Sequence, residues 1–380
     1  MSKVAIIRCE SYEYDAVKKS MERGISLLGG ISQFAQKGEN ILLKPNILIG
    51  DVPKKCVTTN PAVFKAVAEI LINTGANVSY GDSPAIGSTL KAAKKTGLAQ
   101  VADELNIKLA DFKTGVDVFF DKGIQNRKFT IAKAVFDNDT VISLPKLKTH
   151  GLEKFTGAIK NQFGCVPGVL KGEFHLKLPS ADDFAKMLVD LNNFIRPKLY
   201  IMDGIYAMEG NGPRGGTPKK MNILVFSSDP VALDATICRL INVNPENVPT
   251  TKYGMQTGMG SFLEEDIELI GDDFKSFFTK DFKINRRPVK SYKPGFFSDF
   301  MNNRLVSKPH IDAEKCVRCG VCVNMCPANP KAVFFKDDDK SIVPVYNYDN
   351  CIRCFCCQEM CPESAIQLKT PILRKILKIF

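Results

Sequence analysis

Cys316-x-x-Cys319-x-x-Cys322-x-x-x-Cys326-Pro327 is followed farther along the chain by Cys351-x-x-Cys354-x-Cys356-Cys357-x-x-x-Cys361-Pro362. Three cysteines at two-residue gaps wrap one face of an iron–sulfur cube. The fourth ligand must then come from elsewhere, and in paired runs closed by Cys-Pro it comes from the other run. The spacing therefore groups Cys316, Cys319, Cys322 and Cys361 around one cluster. Cys351, Cys354, Cys357 and Cys326 form the second set, so two [4Fe-4S] cofactors are expected.

The two runs are a repeat. Lys315-Cys-Val-Arg-Cys-Gly-Val-Cys322 aligns with Asn350-Cys-Ile-Arg-Cys-Phe-Cys-Cys357, which sets Cys356 opposite Val321 and makes it a non-ligand. Structural zinc also uses four cysteines, but as two Cys-x-x-Cys pairs rather than triplets followed by Cys-Pro. The block reads as a small α+β ferredoxin-like domain.

A chain of 380 residues with 44% hydrophobic composition accommodates a second, larger core. Nine of the 13 cysteines lie in the block, so this is no secreted disulfide framework, and iron–sulfur cubes call for reducing surroundings. The start, Met1-Ser-Lys-Val-Ala-Ile-Ile-Arg, reads as a strand and lacks the apolar segment of a signal peptide. No run reaches the ~18 apolar residues of a membrane span. A cytoplasmic location is expected. The formal charge is +11, and seven Lys/Arg against Asp299 alone lie between Lys283 and Lys308. Without a binding motif or interleaved aromatics this disfavours nucleic acid, and it suits anionic substrates or an acidic electron carrier.

Upstream, apolar runs alternate with helical patterns, which predicts an α/β domain on a mainly parallel sheet over residues 1–285. Asn60-Pro61 opens one helix, with the asparagine as cap and proline at the first helical position. Five polar clusters each follow an apolar run: Lys44-Pro-Asn46, Gly81-Asp82-Ser83, Lys146 to His150, Asp203-Gly204 and Ser228-Asp229. Open parallel sheets bind ligands at the carboxyl ends of their strands. The five clusters are therefore expected to form one rim, converging Lys44, Asp82, His150, Lys160 and Asp229. Turn chemistry accounts for Asp, Ser, Gly and Pro in such places, but it does not call for lysine.

The substrate-binding candidates are Lys44, Asn46, Asp82, Ser83, Lys146, Lys148, Asn161, Asp203, Glu209, Arg214 and Asp229. The catalytic candidates are His150, Lys160 and His175, with a satisfied core histidine as the bland alternative for each histidine. Glu209-Gly-Asn-Gly-Pro-Arg214-Gly-Gly216 contains Gly-x-Gly-x-x-Gly, yet Thr217-Pro218 leads into a strand rather than a helix, against a dinucleotide site. The loop can bring Arg214 to an anion, or be merely flexible.

Several of these blocks, in this order, resemble the domain of unknown function 362 family in its form with a C-terminal ferredoxin module: Lys44-Pro-Asn46, Gly81-Asp-Ser-Pro84, Lys146-Leu-Lys-Thr-His150-Gly, Thr156-Gly-Ala-Ile-Lys-Asn-Gln-Phe-Gly164, Glu209-Gly-Asn-Gly-Pro213 and Asp229-Pro-Val-Ala-Leu-Asp234. The resemblance covers about residues 40–260 and implies iron–sulfur and redox chemistry without a defined reaction. Cys356, and Phe355 where the first repeat has Gly320, depart from the plain ferredoxin pattern.

The leading expectation is a ferredoxin-linked reductase. It would take electrons from a partner protein and hold an anionic small molecule at the strand ends, with His150 or Lys160 supplying a proton. The alternatives are an electron-transfer carrier without substrate chemistry, and a non-redox metal-dependent enzyme using Asp82, Asp203, Asp229 and the histidines. A basic linker over 286–308, a ferredoxin domain over 309–368 and an amphipathic tail over 369–380 complete the expected organisation. The tail's apolar stripe suits packing against the protein better than a weak contact with a membrane surface.

Overall fold

The computed structural model describes residues 1–84, 87–168, 170–289 and 307–369. Most of the expected basic linker, and the tail from residue 370, lie outside the described residues.

Twelve strands come first along the chain: β1 (Ser2–Arg8), β2 (Asn40–Pro45), β3 (Asn77–Tyr80), β4 (Lys108–Leu109), β5 (Gly115–Phe119), β6 (Lys128–Ala132), β7 (Thr140–Leu144), β8 (Lys146–His150), β9 (Lys154–Thr156), β10 (Leu199–Glu209), β11 (Thr217–Ser227) and β12 (Ile267–Gly271). Ten of them form one sheet in the order β12-β1-β11-β10-β7-β2-β3-β4, with β8 beside the far half of β10 and β9 beside β8. Strands β5 and β6 make a separate antiparallel pair. All neighbours in the large sheet are parallel except the pairs made by β11 and the β8–β9 pair.

Helices cover both faces, which is why the strands read as unbroken apolar runs rather than alternating ones. The period of two is still there underneath. Ile41 and Leu43 point into one core with Ile142, Leu144 and the helices Tyr14–Leu27 and Pro61–Asn73. Leu42 and Val141 point into the other, against Phe184 and Leu188 of the helix Ala181–Ile195. Each such fully buried side chain contributes about 1.5–3 kcal/mol. The helix Pro61–Asn73 starts as its sequence dictates: the Asn60 side chain accepts from Ala62 N, and Pro61 costs no hydrogen bond there.

The small α+β module begins with β13 (Lys308–Ile311) and continues through β14 (Val333–Phe334), β15 (Val345–Tyr346) and β16 (Ile366–Lys369). Strands β13 and β16 pair antiparallel, as do β14 and β15. Two short helical turns, Val321–Asn324 and Cys356–Met360, follow the cysteine triplets. The sequence repeat is also a backbone repeat: Arg318 and Arg353 have φ of 58° and 59°, and Gly320 and Phe355 have 72° and 63°. Glycine enters that left-handed region freely, whereas phenylalanine does so at a cost of roughly 1–2 kcal/mol. Phe355 offsets that cost by burial: its ring packs on Gly151 and joins the α/β core.

One expected rim cluster is misplaced, and topology is the reason. Strand β11 runs antiparallel to β10 and β1, so its carboxyl end points to the opposite sheet edge. Ser228-Asp229 therefore lies beside the start of β1, where Ser2 Oγ donates to Asp229 at 2.6 Å. There Asp229 caps the helix Pro230–Leu240, accepting from Val231 N and Ala232 N. Lys146 to His150, expected as a loop, is strand β8. Asp203 is not a strand end either but an interior residue of β10, paired in register with Lys146.

Candidate functional site

Where β2, β3 and β8 end, the sheet edge faces the two helical turns of the cysteine module across a cavity of about 450 Å³. Its floor presents Asn46, Asp82, Ser83, Lys148, His150, Lys160 and Asn161. Part of its wall is the helix Leu170–Lys177, with Lys171, His175 and Leu176. The roof includes Met325, Cys326, Cys356, Glu359 and Met360.

The floor is held by a polar lattice. Lys44 is buried behind it, with Nζ 3.0 Å from Asp82 Oδ1 and 3.1 Å from both Pro45 O and Asn161 Oδ1. Asp82 also accepts from Ile47 N at 2.7 Å. Gly164 passes so close that a Cβ there would sit 1.7 Å from Asp82 Oδ1, so only glycine fits. Asn161 takes a second bond from Asn46 Nδ2 and gives one to Ser143 Oγ.

Lys148 Nζ donates to Asn46 Oδ1 and Val57 O, both at 2.6 Å. Burial first, and then the nearby Lys160 charge, bring it down to about 7. Lys171 donates to Ser83 O, and burial lowers it to about 8. Lys160 has no ion-pair or hydrogen-bond partner among the described residues; its ammonium lies 5.8 Å from the Phe163 ring centre.

The histidines differ. His150 Nδ1 accepts from Leu152 N and Glu153 N, both at 3.1 Å, so the neutral ring carries its proton on Nε2. That atom is 2.7 Å from Glu359 Oε1 in the module, although the contact is off the line of the N–H bond. Burial depresses His150, and Lys160 adds to this. Burial alone would raise Glu359, but the neighbouring His150 and Lys160 hold its carboxyl well below the usual range. His175 stacks on Phe184 with centroids 4.4 Å apart, and burial drives it down to about 4.

The other candidates serve elsewhere. Lys146 is sealed against Asp203 at 2.9 Å and Tyr12 at 2.8 Å. Glu209 accepts from Lys283 N at 2.9 Å. Arg214 bonds Asp51 Oδ2 at 2.7 Å and reaches the carbonyl of Met360 at 2.9 Å. The glycine-rich turn between β10 and β11 is thus a docking platform. Gln358 Nε2 donates to Asn211 O and Gly212 O at 3.0 Å, and Asn211 Nδ2 donates to Ile366 O at 2.9 Å.

Lys171, Gln358 and Glu359 escaped the sequence reading. A signal for Glu359 was present: it stands opposite Asn324 in the repeat, so a carboxylate occupies a spacer that needs none for ligation.

The cysteines fit iron–sulfur cubes. Cys316, Cys319, Cys322 and Cys361 ring one hollow. Cys357, Cys354 and Cys351 press on one another's charge. Backbone N–H groups aim at sulfur, Ala365 at Cys361 and Ala332 at Cys326, each at 3.3 Å, and Tyr346 Oη lies 3.2 Å from Cys357. Such bonds stabilise thiolate charge and tune a cluster. Among the described residues no three His, Cys, Asp or Glu side chains gather round a single-ion position. Asp82, Asp203 and Asp229 are each engaged separately, as above. A cube differs from a single ion in offering four separate iron corners.

A family profile described as Domain of unknown function (DUF362) matches residues 41–239, just over half of the chain, and a 4Fe-4S dicluster domain matches residues 308–362. A thylakoid-associated protein of Synechocystis sp. is 35% identical over 263 residues, covering 69% of this chain and 81% of that protein. The lactate racemase apoprotein from Thermoanaerobacterium thermosaccharolyticum aligns with a TM-score of 0.39 and 15% identity, over 62% of this chain and 55% of that one. A Thermotoga maritima protein aligns at 0.37 and 11%, over 56% of each chain. The chain thus spans little more than half the length of either solved structure. No helix among the described residues is long and apolar enough to cross a membrane.

Proposed function

Because the chain belongs to the family described as Domain of unknown function (DUF362) and is an iron–sulfur protein with a 4Fe-4S dicluster domain, we propose that it is a ferredoxin-linked reductase of an anionic small molecule. The observation that carries this reading is the cavity itself: Lys148 of β8 and Lys160 of the helical turn Ala158–Asn161 lie in its floor, and Cys326, a ligand candidate of the second cluster, stands in its roof.

The two cysteine sets would hold cubes, which would supply electrons one at a time, two in all, and be refilled by an external one-electron carrier protein. Cys326 of the second set lines the cavity, and the first set includes the exposed Cys319, a suitable point of entry. Lys160 and Lys148 hold the anion. Reduction also consumes two protons. Lys171, at about 8, and Lys148, at about 7, are poised near neutrality and match general-acid work better than His175 at about 4. His150 is engaged with Glu359 and serves to hold the roof.

The test is reoxidation of the dithionite-reduced, cluster-loaded protein, followed by its visible absorbance as candidate organic anions are added anaerobically. Some organic anion should reoxidise it, and Lys160→Gln should slow that step while leaving oxidation by a carrier protein unchanged. Reoxidation by carrier proteins alone would identify an electron carrier instead.

A further inference from the structure

The charges lining the cavity do not cancel. Asp82 is matched by Lys44 at 3.0 Å, and Glu173 by Lys177 at 3.0 Å. Glu359 faces a neutral imidazole. Lys148 and Lys171 bond only uncharged oxygens, and Lys160 has no hydrogen-bond or ion-pair partner among the described residues. With Lys148 and Lys171 protonated, three cations face one carboxylate, a positive surplus on the lining that an anionic occupant offsets.

The excess is not spread evenly. The lysines belong to the floor and to the wall beside it, whereas Met325, Pro327 and Met360 make an apolar roof, flanked by Leu176 and Phe163. The roof also carries Cys326, and thiolate charge on a bound cube repels an anion from that side. A volume of about 450 Å³ is that of a small organic molecule rather than a bare ion.

We propose that the occupant is an organic dianion with an apolar body: its doubly charged head, a phosphomonoester or a dicarboxylate, rests on Lys148, Lys160 and Lys171, and its body lies under Met325 and Met360. This rests on the choice of cavity made above and not on electron transfer.

Calorimetric binding to the oxidised, cluster-loaded protein tests it without turnover. The probes are phenyl phosphate, phenylsuccinate, benzoate, benzyl alcohol and inorganic phosphate. At least one aromatic dianion should bind about tenfold or more tightly than both benzoate and inorganic phosphate. The better of the two dianions identifies the head group. Lys160→Gln should lose about tenfold and Lys160→Arg recover most of it, with cluster absorbance intact in both. Leu176→Asn should weaken phenyl phosphate and leave inorganic phosphate unchanged. Equal binding of phenyl phosphate and inorganic phosphate, benzoate as tight as the dianions, or indifference to Lys160→Gln would overturn the proposal. A protein that binds the dianions but is never reoxidised by an organic anion would instead refute the reductase reading and leave this one standing.

Discussion

His150 Nε2, at the end of a sheet strand, lies 2.7 Å from Glu359 Oε1, in the helical turn between Cys357 and Cys361 of the iron–sulfur module. The contact joins the two parts of the molecule at the cavity's edge. Glu359 is also the carboxylate that partly offsets the lysine excess. Glu359→Gln should therefore have two effects of opposite sign. Docking should weaken by about 1–3 kcal/mol, lowering the temperature at which cluster absorbance is lost. Affinity for phenyl phosphate should rise, because one negative charge leaves the cavity. A variant that melts as the parent does and binds the probe more weakly would contradict the arrangement.

Phe355 holds a left-handed conformation that glycine fills in the first repeat. Phe355→Gly should relieve roughly 1–2 kcal/mol of backbone cost but remove a buried ring worth about 3 kcal/mol or more. The net expectation is looser docking with cluster content retained, seen as faster proteolysis between the two parts at unchanged iron. Tighter docking would mean that the ring contributes little.

Cys356 lies opposite Val321 in the repeat and lines the cavity. Cys356→Ser should keep the full iron complement, about eight per chain for two cubes. Cys354→Ser should lose or convert one cluster. Iron analysis with low-temperature paramagnetic resonance separates them, and loss of iron from the Cys356 variant would reassign the ligands.

Lys148 and Lys171 predict how binding depends on pH. Burial holds them at about 7 and about 8; Lys160, Lys146, Lys44 and Cys165 are among their charged or titratable neighbours, together with Asp82 and, for Lys148, Glu359. Below those values both are cationic, and above them they are neutral. Phenyl phosphate affinity should thus fall as pH rises through 7 to 8. An affinity that increases over that interval would exclude the two lysines from the head-group site.

Glu153 is buried with neither carboxylate oxygen hydrogen-bonded, and burial pushes it up to about 8. Its folded value lies above the unfolded one, so the folded state holds an extra proton between about pH 4.5 and 8. Stability is full below that window and falls as pH rises through it. Glu153→Gln should match the parent at pH 5 and melt several degrees higher at about pH 9. Equal melting at both would mean that the carboxylate finds solvent or a partner.

Much of the fold was legible because it depends on local chemistry: apolar runs buried on both faces, the Asn60-Pro61 cap and the doubled cysteine spacing. What escaped depends on contacts between residues distant in sequence. Nothing local in Met221 to Ser228 says that β11 runs against its neighbours, yet that reversal carries Asp229 to the far edge. Lys44, Lys146, Lys148 and Lys160 look alike as letters. The fold seals the first two against Asp82 and Asp203, binds the third to Asn46 and leaves the fourth open. The glycine-rich turn resembled a ligand loop because close backbone approach is what both a ligand and a docked module require.

The cavity roof is built from the spacers between cluster ligands. The same few residues between ligand cysteines thus do two jobs, spacing the thiolates and, through Glu359 and Met360, covering the sheet edge.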